Sequence, residues 1–223
     1  MGKFLHYLEP KIPIDERFTS TSNQLGVSEL RQKEISTLLE PLRLHDVATY
    51  EHSIRVGLLA QQIGKFVYFD RKALWYAGLL HDIGKIQTKL STLEKTDDWT
   101  EEDSREIMNH VNDGYRIIRD KFDFTAQIIL WHHRFQSPAY PAEMPSPSRV
   151  YPEIVKEMIP KYGRMLALAD VFDALHRVNS KCGQKTLDGE QIQQKMLERN
   201  PDQRILVSQL FDANIFTTHI VPE

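Results

Sequence analysis

From Ser28 onward the apolar residues of this chain recur every three to four positions and almost never every second one, which is the period of helices packed on one face and not of strands. Leu30, Ile35, Leu38, Leu39 and Leu42 follow Ser28, a suitable N-cap. A second helix is expected after Asp46, through Ile54, Leu58, Leu59, Ile63, Phe66 and Val67. Asp70 then caps a short, largely apolar helix from Ala73 to about His81, with Trp75 in its core. Thr100-Glu-Glu-Asp103 resembles a capping box and opens a helix through Ile107, Val111, Tyr115, Ile117 and Ile118. Ala126 to His133 reads as another, with Trp131 in the core. Prolines 138, 141, 145, 147 and 152 make the segment from Arg134 to Pro152 a loop. Helical spacing resumes near Ile154, again from Arg164 to His176, and twice more after Asp188 and Pro201. The expectation is an all-α helical bundle over residues 28–223, preceded by an irregular N-terminal arm over residues 1–27, where Pro10, Pro13 and a Thr/Ser/Asn/Gln patch interrupt any periodicity.

Composition bears on what such a bundle can bind. The 28 basic and 31 acidic residues nearly cancel to a net charge of -3, so no field draws in duplex nucleic acid. No run reaches the ~18 apolar residues of a membrane span, and a cytoplasmic protein without a membrane partner is expected. The single Cys182 excludes a thiolate zinc cluster and fits a reducing compartment.

The chemistry sits in the histidines and aspartates. His52, His81-Asp82, His110, His132-His133 and Asp170 each fall on a different expected helix or at its end. Imidazole and carboxylate together suit Fe, Mn, Zn or Ni, and a bundle core collects ligands from several helices. The segment Ala77-Gly-Leu-Leu-His81-Asp82-Ile-Gly-Lys85 interrupts an apolar helix with charge, and a buried charge needs a compensating partner that a metal supplies. Asp82 has two oxygens and can bridge two cations, whereas His81 binds one. Lys85, three residues further, could meet a phosphate oxygen, with Gly84 leaving room for its approach.

The order His, His-Asp, distant Asp resembles that of the HD-domain phosphohydrolases. His110 and His132-His133 make the chain similar to the HD-GYP subgroup, which includes cyclic di-GMP phosphodiesterases. Glu51-His52-Ser-Ile-Arg55-Val56, Leu80-His81-Asp82-Ile-Gly-Lys85 and Ala167-Leu-Ala-Asp170-Val-Phe-Asp173-Ala-Leu175 carry the match, over roughly residues 30–215. The resemblance implies metal binding by His52, His81, Asp82, His110, His132, His133 and Asp170, with Asp82 bridging, and a catalytic or substrate-contacting role for Lys85. It departs in two places. After His132-His133 the chain reads Arg134-Phe-Gln-Ser-Pro-Ala-Tyr140-Pro141, keeping Tyr-Pro without the glycines of the family's loop. Ala48 stands where members with three metals place a Glu, so two ions are expected, Fe or Mn ahead of Zn or Ni.

The implied reaction is hydrolysis of a cyclic dinucleotide of the cyclic di-GMP type by a hydroxide shared between the metals. Two further readings stand beside it: an HD hydrolase of another nucleotide or small phosphate ester, and a non-catalytic HD sensing module. Tyr140 is a candidate for stacking on a base, Arg177 for meeting a substrate phosphate, and Asp173 for orienting a ligand. His45, His176 and His219 match no motif position.

Overall fold

The computed structural model of the chain describes residues 12–181 and 187–216, with the backbone alone for 177–181. Cys182 and His219 lie outside the described residues, as does the Arg177 side chain. The described residues form helices without a strand, in agreement with the all-α expectation.

The N-caps fall where the sequence places them. Helix α2 (Glu29–His45) begins with the Ser28 hydroxyl accepting from the Arg31 amide, and α3 (Val47–Phe66) with Asp46 accepting from Ala48. Asp70 accepts from the Lys72 and Ala73 amides at the head of α4 (Arg71–Leu80). A 3₁₀ turn over Ile83–Gln87 and the single turn α5 (Leu90–Leu93) lead to α6 (Glu101–Ile118), which opens with a reciprocal Thr100–Asp103 capping box. Helix α7 (Asp123–Ile129) stops short of the expected His133, and residues 130–134 continue as turns with bonds such as Arg134 N–H to the Trp131 carbonyl. The proline-rich loop then leads into α8 (Glu153–Lys181), and α9 (Gly189–Arg199) and α10 (Arg204–Asp212) close the described chain.

Two expectations are corrected. Where the sequence suggested an irregular arm, Ile14–Gln24 form a helix, α1, with Phe18 buried against Trp75 at a ring separation of 5.9 Å. Its helical signal is weak because the buried set includes Thr21 and Ser22 beside Phe18, and because Pro13 precedes it without a side-chain cap. The second correction is that the segments from Ile154 and from Arg164 are one helix. It runs through Pro160, since Ile159, Tyr162, Met165 and Leu166 are buried on both sides of the missing N–H and hold the backbone in register.

Two close backbone approaches position the site. A Cβ on Gly78 would stand 2.4 Å from the Gly57 Cα, so α3 and α4 cross in near contact there. A Cβ on Gly84 would stand 1.9 Å from the His110 carbonyl oxygen and 2.5 Å from the Gly114 nitrogen. Gly84 therefore makes room for the backbone of α6, not for a substrate reaching Lys85, and brings Asp82 beside His110. Trp75 is fully buried at the centre, and Trp131 is half-buried at the edge of the core.

Candidate metal centre

Seven side chains from five stretches of chain converge at the crossing of α3, α4, α6 and α8. His52 comes from the middle of α3, Asp170 from α8, and His81-Asp82 from the end of α4, where helix gives way to the 3₁₀ turn. His110 lies in α6, and His132 and His133 in the turns after α7. One ligand atom each of His52, His81 and Asp170 lies within 4.8 Å of the others, and the same holds for His110, His132 and His133. Asp82 stands between these triplets. Its Oδ2 is 3.6 Å from His52 Nε2 and 3.4 Å from His81 Nε2, while its Oδ1 is 3.3 Å from His110 Nε2.

The hydrogen bonds behind the rings fix which nitrogen faces inward. His81 Nδ1 donates to the Gly78 carbonyl at 2.8 Å, His132 Nδ1 to the Ile129 carbonyl at 2.5 Å, and His110 Nδ1 to the Ile107 carbonyl, each three residues back. A carbonyl only accepts, so these Nδ1 atoms carry the proton and Nε2 presents its lone pair. Burial disfavours a second proton on these rings. It lowers His81 to about 4 and His110 to about 3, and it lowers His132 and His133 as well.

Lone pairs thus face one another across the centre. His110 Nε2 and His132 Nε2 are 3.3 Å apart, and His81 Nε2 is buried without a hydrogen-bond partner. His52 Nε2 lies 3.1 Å from Asp170 Oδ1 while its Nδ1 is held by Asp173 Oδ2 at 2.6 Å. Asp82 and Asp170 are buried, which works to raise their pKa. The surrounding His81, Lys85, His110 and His52 at Asp82, and His52, His81 and His133 at Asp170, outweigh that burial and leave both carboxyls well below the usual range. Buried anions and imidazole lone pairs aimed at a common point form a donor set that a cation satisfies, and the mixture of nitrogen and oxygen suits borderline divalent metals. The residues present fit such an ion.

The supports behind the two triplets differ. Asp173 carries the His52 bond and also accepts from Arg55 Nε at 2.8 Å and Nη2 at 3.3 Å. Burial works to raise Asp173, but His52 and Arg55 bring it to about 2. His133 has its Nδ1 on a neutral side chain, Gln136 Oε1 at 3.2 Å, and its ring is stacked on Tyr140 with centroids 4.4 Å apart. Tyr140 therefore packs against a member of the donor set on one ring face. Lys85, on the 3₁₀ turn, donates to Asp82 Oδ2 at 2.6 Å. His45 bonds the Thr88 carbonyl and His176 the Phe172 carbonyl, both away from the donor set. Sequence reasoning gave no role to Arg55 or Gln136. Arg55 is separated from Asp173 by 118 residues, and only helical phase, three positions after His52, hinted at it.

Comparisons with known proteins identify the family of this chain. The HD domain family model matches residues 49–175, more than half of the chain, and the chain belongs to that family. Among its relatives are the cyclic di-GMP phosphodiesterase response regulator RpfG of Xanthomonas campestris pv. campestris, 30% identical over 173 residues, covering 74% of this chain and 42% of the relative. The 3'3'-cGAMP-specific phosphodiesterase 1 of Vibrio cholerae is 28% identical over 147 residues, covering 63% of this chain and 32% of the relative. A cyclic di-GMP phosphodiesterase of Thermotoga maritima is 31% identical over 151 residues, covering 64% and 38%. The chain thus spans less than half the length of these relatives. The HD domain of the phosphodiesterase PgpH of L. monocytogenes has the same fold, with a TM-score of 0.52 at 16% identity, covering 81% of this chain and 92% of that one. The family and the names of these relatives support a hydrolase.

Proposed function

We propose that this chain is a metal-dependent phosphodiesterase acting on a cyclic dinucleotide. The observation that carries the reading is the pair of donor triplets astride Asp82. His52, His81 and Asp170 would hold one divalent ion, His110, His132 and His133 a second, and Asp82 would offer one oxygen to each. Bound there, such ions supply Lewis acidity toward phosphoryl oxygens and an activated water. The chain's own residues do the rest. The carbonyls of Gly78, Ile107 and Ile129 hold each imidazole as the tautomer with Nε2 free, and Asp173, steadied by Arg55, does the same for His52. Lys85 spends one N–H on Asp82. Its two remaining N–H groups can meet a phosphoryl oxygen and stabilise charge as the ester bond breaks. No Ser or Cys in a nucleophile motif is required.

A second reading, hydrolysis of another nucleotide or small phosphate ester, is favoured by Tyr140. Its ring face against His133 is not available to a base. The test is hydrolysis by the metal-loaded protein of a panel of 3',5'-cyclic dinucleotides, mononucleotides and a small generic phosphodiester. Turnover of a cyclic dinucleotide above the others is expected. Preference for a monoester would favour the second reading, and no turnover of any phosphate by metal-loaded protein would end both.

A further inference from the structure

Beside the donor set, on the face of α3 that carries Arg55, lies a cavity of about 260 Å³ whose lining carries two arginines and no carboxylate. Arg55, Leu58, Leu59 and Gln62 form its floor, at the helical spacing that puts them on one face of α3. Arg17 overhangs it from α1, and Asn214 and Ile215 close it from the end of α10. The walls are fixed in place. Phe18 packs on Trp75, Ser22 Oγ accepts from the Trp75 indole N–H at 3.2 Å, and the Tyr50 hydroxyl donates to the Asp15 carboxylate, so α1 is docked on α3 and α4 through contacts on either side of Arg17. Asn214, with φ 53, holds the left-handed turn that ends α10, a conformation Asn tolerates.

The cavity lining brings two cations and no anion, with Arg55 paired behind it to Asp173 and Glu51. The Arg17 guanidinium has no hydrogen-bond or ion-pair partner among the described residues. Burial and the neighbouring Arg55 charge both lower its pKa. Arg55 gives Nε and Nη2 to Asp173 and has Glu51 Oε2 at 3.7 Å from Nη1, beyond hydrogen-bonding distance. A guanidinium has five N–H groups, so Arg55 keeps donors over for the cavity. Two like charges turned toward one space are stable together when an anion lies between them, and guanidinium donors match phosphate oxygens in geometry. Gln62 and Asn214 add neutral amide donors at the rim.

We propose that this cavity binds the phosphate group of a small dianion, inorganic phosphate or a phosphomonoester, between Arg17 and Arg55. Its volume falls below the ~300 Å³ at which ligand pockets for larger molecules begin, so the phosphate group itself is held and any nucleoside stays outside. The site is separate from the donor set, yet Arg55 belongs to both, because the same guanidinium steadies the Asp173 carboxylate behind His52.

The test follows the arginine Nε resonances in ¹H–¹⁵N spectra of the full chain during titration with inorganic phosphate, with a nucleoside monophosphate, and with chloride. These signals report each arginine separately, and Arg17, which touches no member of the donor set, tells binding here from phosphate binding near Lys85 that reaches Arg55 through Asp173. Arg17 and Arg55 are expected to shift together and saturably with both phosphates, and not with chloride. Arg17→Gln should weaken the Arg55 response about tenfold to a hundredfold, the worth of one charge-assisted hydrogen bond. Gln62→Glu, on an exposed helical position, should weaken it as well by adding a carboxylate to the lining. An Arg55 response unchanged in Arg17→Gln protein, a response that never saturates, or an equal response to chloride would each overturn the site. Saturable binding of inorganic phosphate alone would confine it to free phosphate, and binding of the nucleotide alone would overturn the assignment to the phosphate group.

Discussion

The two donor triplets use the same chemistry on different scaffolds. His52, His81 and Asp170 stand on or at the end of α3, α4 and α8, and two backbone elements and one ion pair hold them: the Gly78 carbonyl, the Gly57–Gly78 crossing and the Arg55–Asp173 pair. His132 and His133 stand in turns that open the proline-rich loop, and His133 depends on Gln136 and Tyr140 for its orientation. A triplet built on regular helices inherits its geometry from the core, whereas one built on a loop inherits it from that loop's own side chains. Of the two departures from the pattern this sequence resembles, the loop without its glycines falls in this second region, and Ala48 falls on α3, one turn before His52. The loop departure changes the surroundings of one triplet, whereas Ala48 leaves the His52 supports in place.

Breaking the shared member should erase the distinction. Asp82→Ala removes the carboxylate between the triplets, and metal content by elemental analysis is expected to fall from close to two ions per chain to near none, with loss of hydrolysis. Retention of two ions would mean that Asp82 bridges nothing.

Removing the metals should make the halves alike again in a different respect. Unfolded histidines take up protons below about 6.5, whereas folded His81 and His110, one from each triplet, hold off until about 4 and about 3. Protonation therefore pulls toward the unfolded chain. Stability of chelator-treated protein is expected to be highest above pH 6.5 and to fall as pH drops toward 4, by up to about 1.4 kcal/mol per pH unit for each such histidine. Urea unfolding at a series of pH values checks this, and a flat profile would show the rings to be already charged in the folded chain.

Asp173→Asn sharpens the comparison from the helical side. Replacing the carboxylate behind His52 should weaken one of the two metal-binding steps by about 10–100-fold and leave the other in place. Tyr140→Ala does the reverse with a smaller effect. Losing its stack on His133 is worth about 0.5–1.5 kcal/mol, or roughly two- to tenfold at the second step. Stepwise metal titration separates the two. If both variants weaken the same step, the triplets are not independent sites.

Much of this was legible because its signals are local. Ser28, Asp46, Asp70 and Thr100 cap the helices that their spacing suggested, and the motif residues His52, His81-Asp82, His110, His132-His133 and Asp170 converge as one cluster. What stayed hidden depends on partners distant in the chain. Helix α1 is stabilised by Trp75, more than fifty residues on, and not by its own apolar content. The stacking of Tyr140 on His133 depends on how a loop with five prolines folds back, which periodicity does not encode. Gly84 was read for the wrong neighbour, since nothing in the text around it announces the α6 backbone.

That glycine also limits how the protein can change. With the His110 carbonyl 1.9 Å from where a Cβ would begin, the spacing between Asp82 and α6 is set by main chain against main chain, with no side chain in between to trim or enlarge. A spacer made of backbone has no intermediate sizes. Substitution elsewhere can retune the loop or the cavity beside Arg17 in small steps, but the distance between the two halves of the donor set admits no gradual adjustment at position 84.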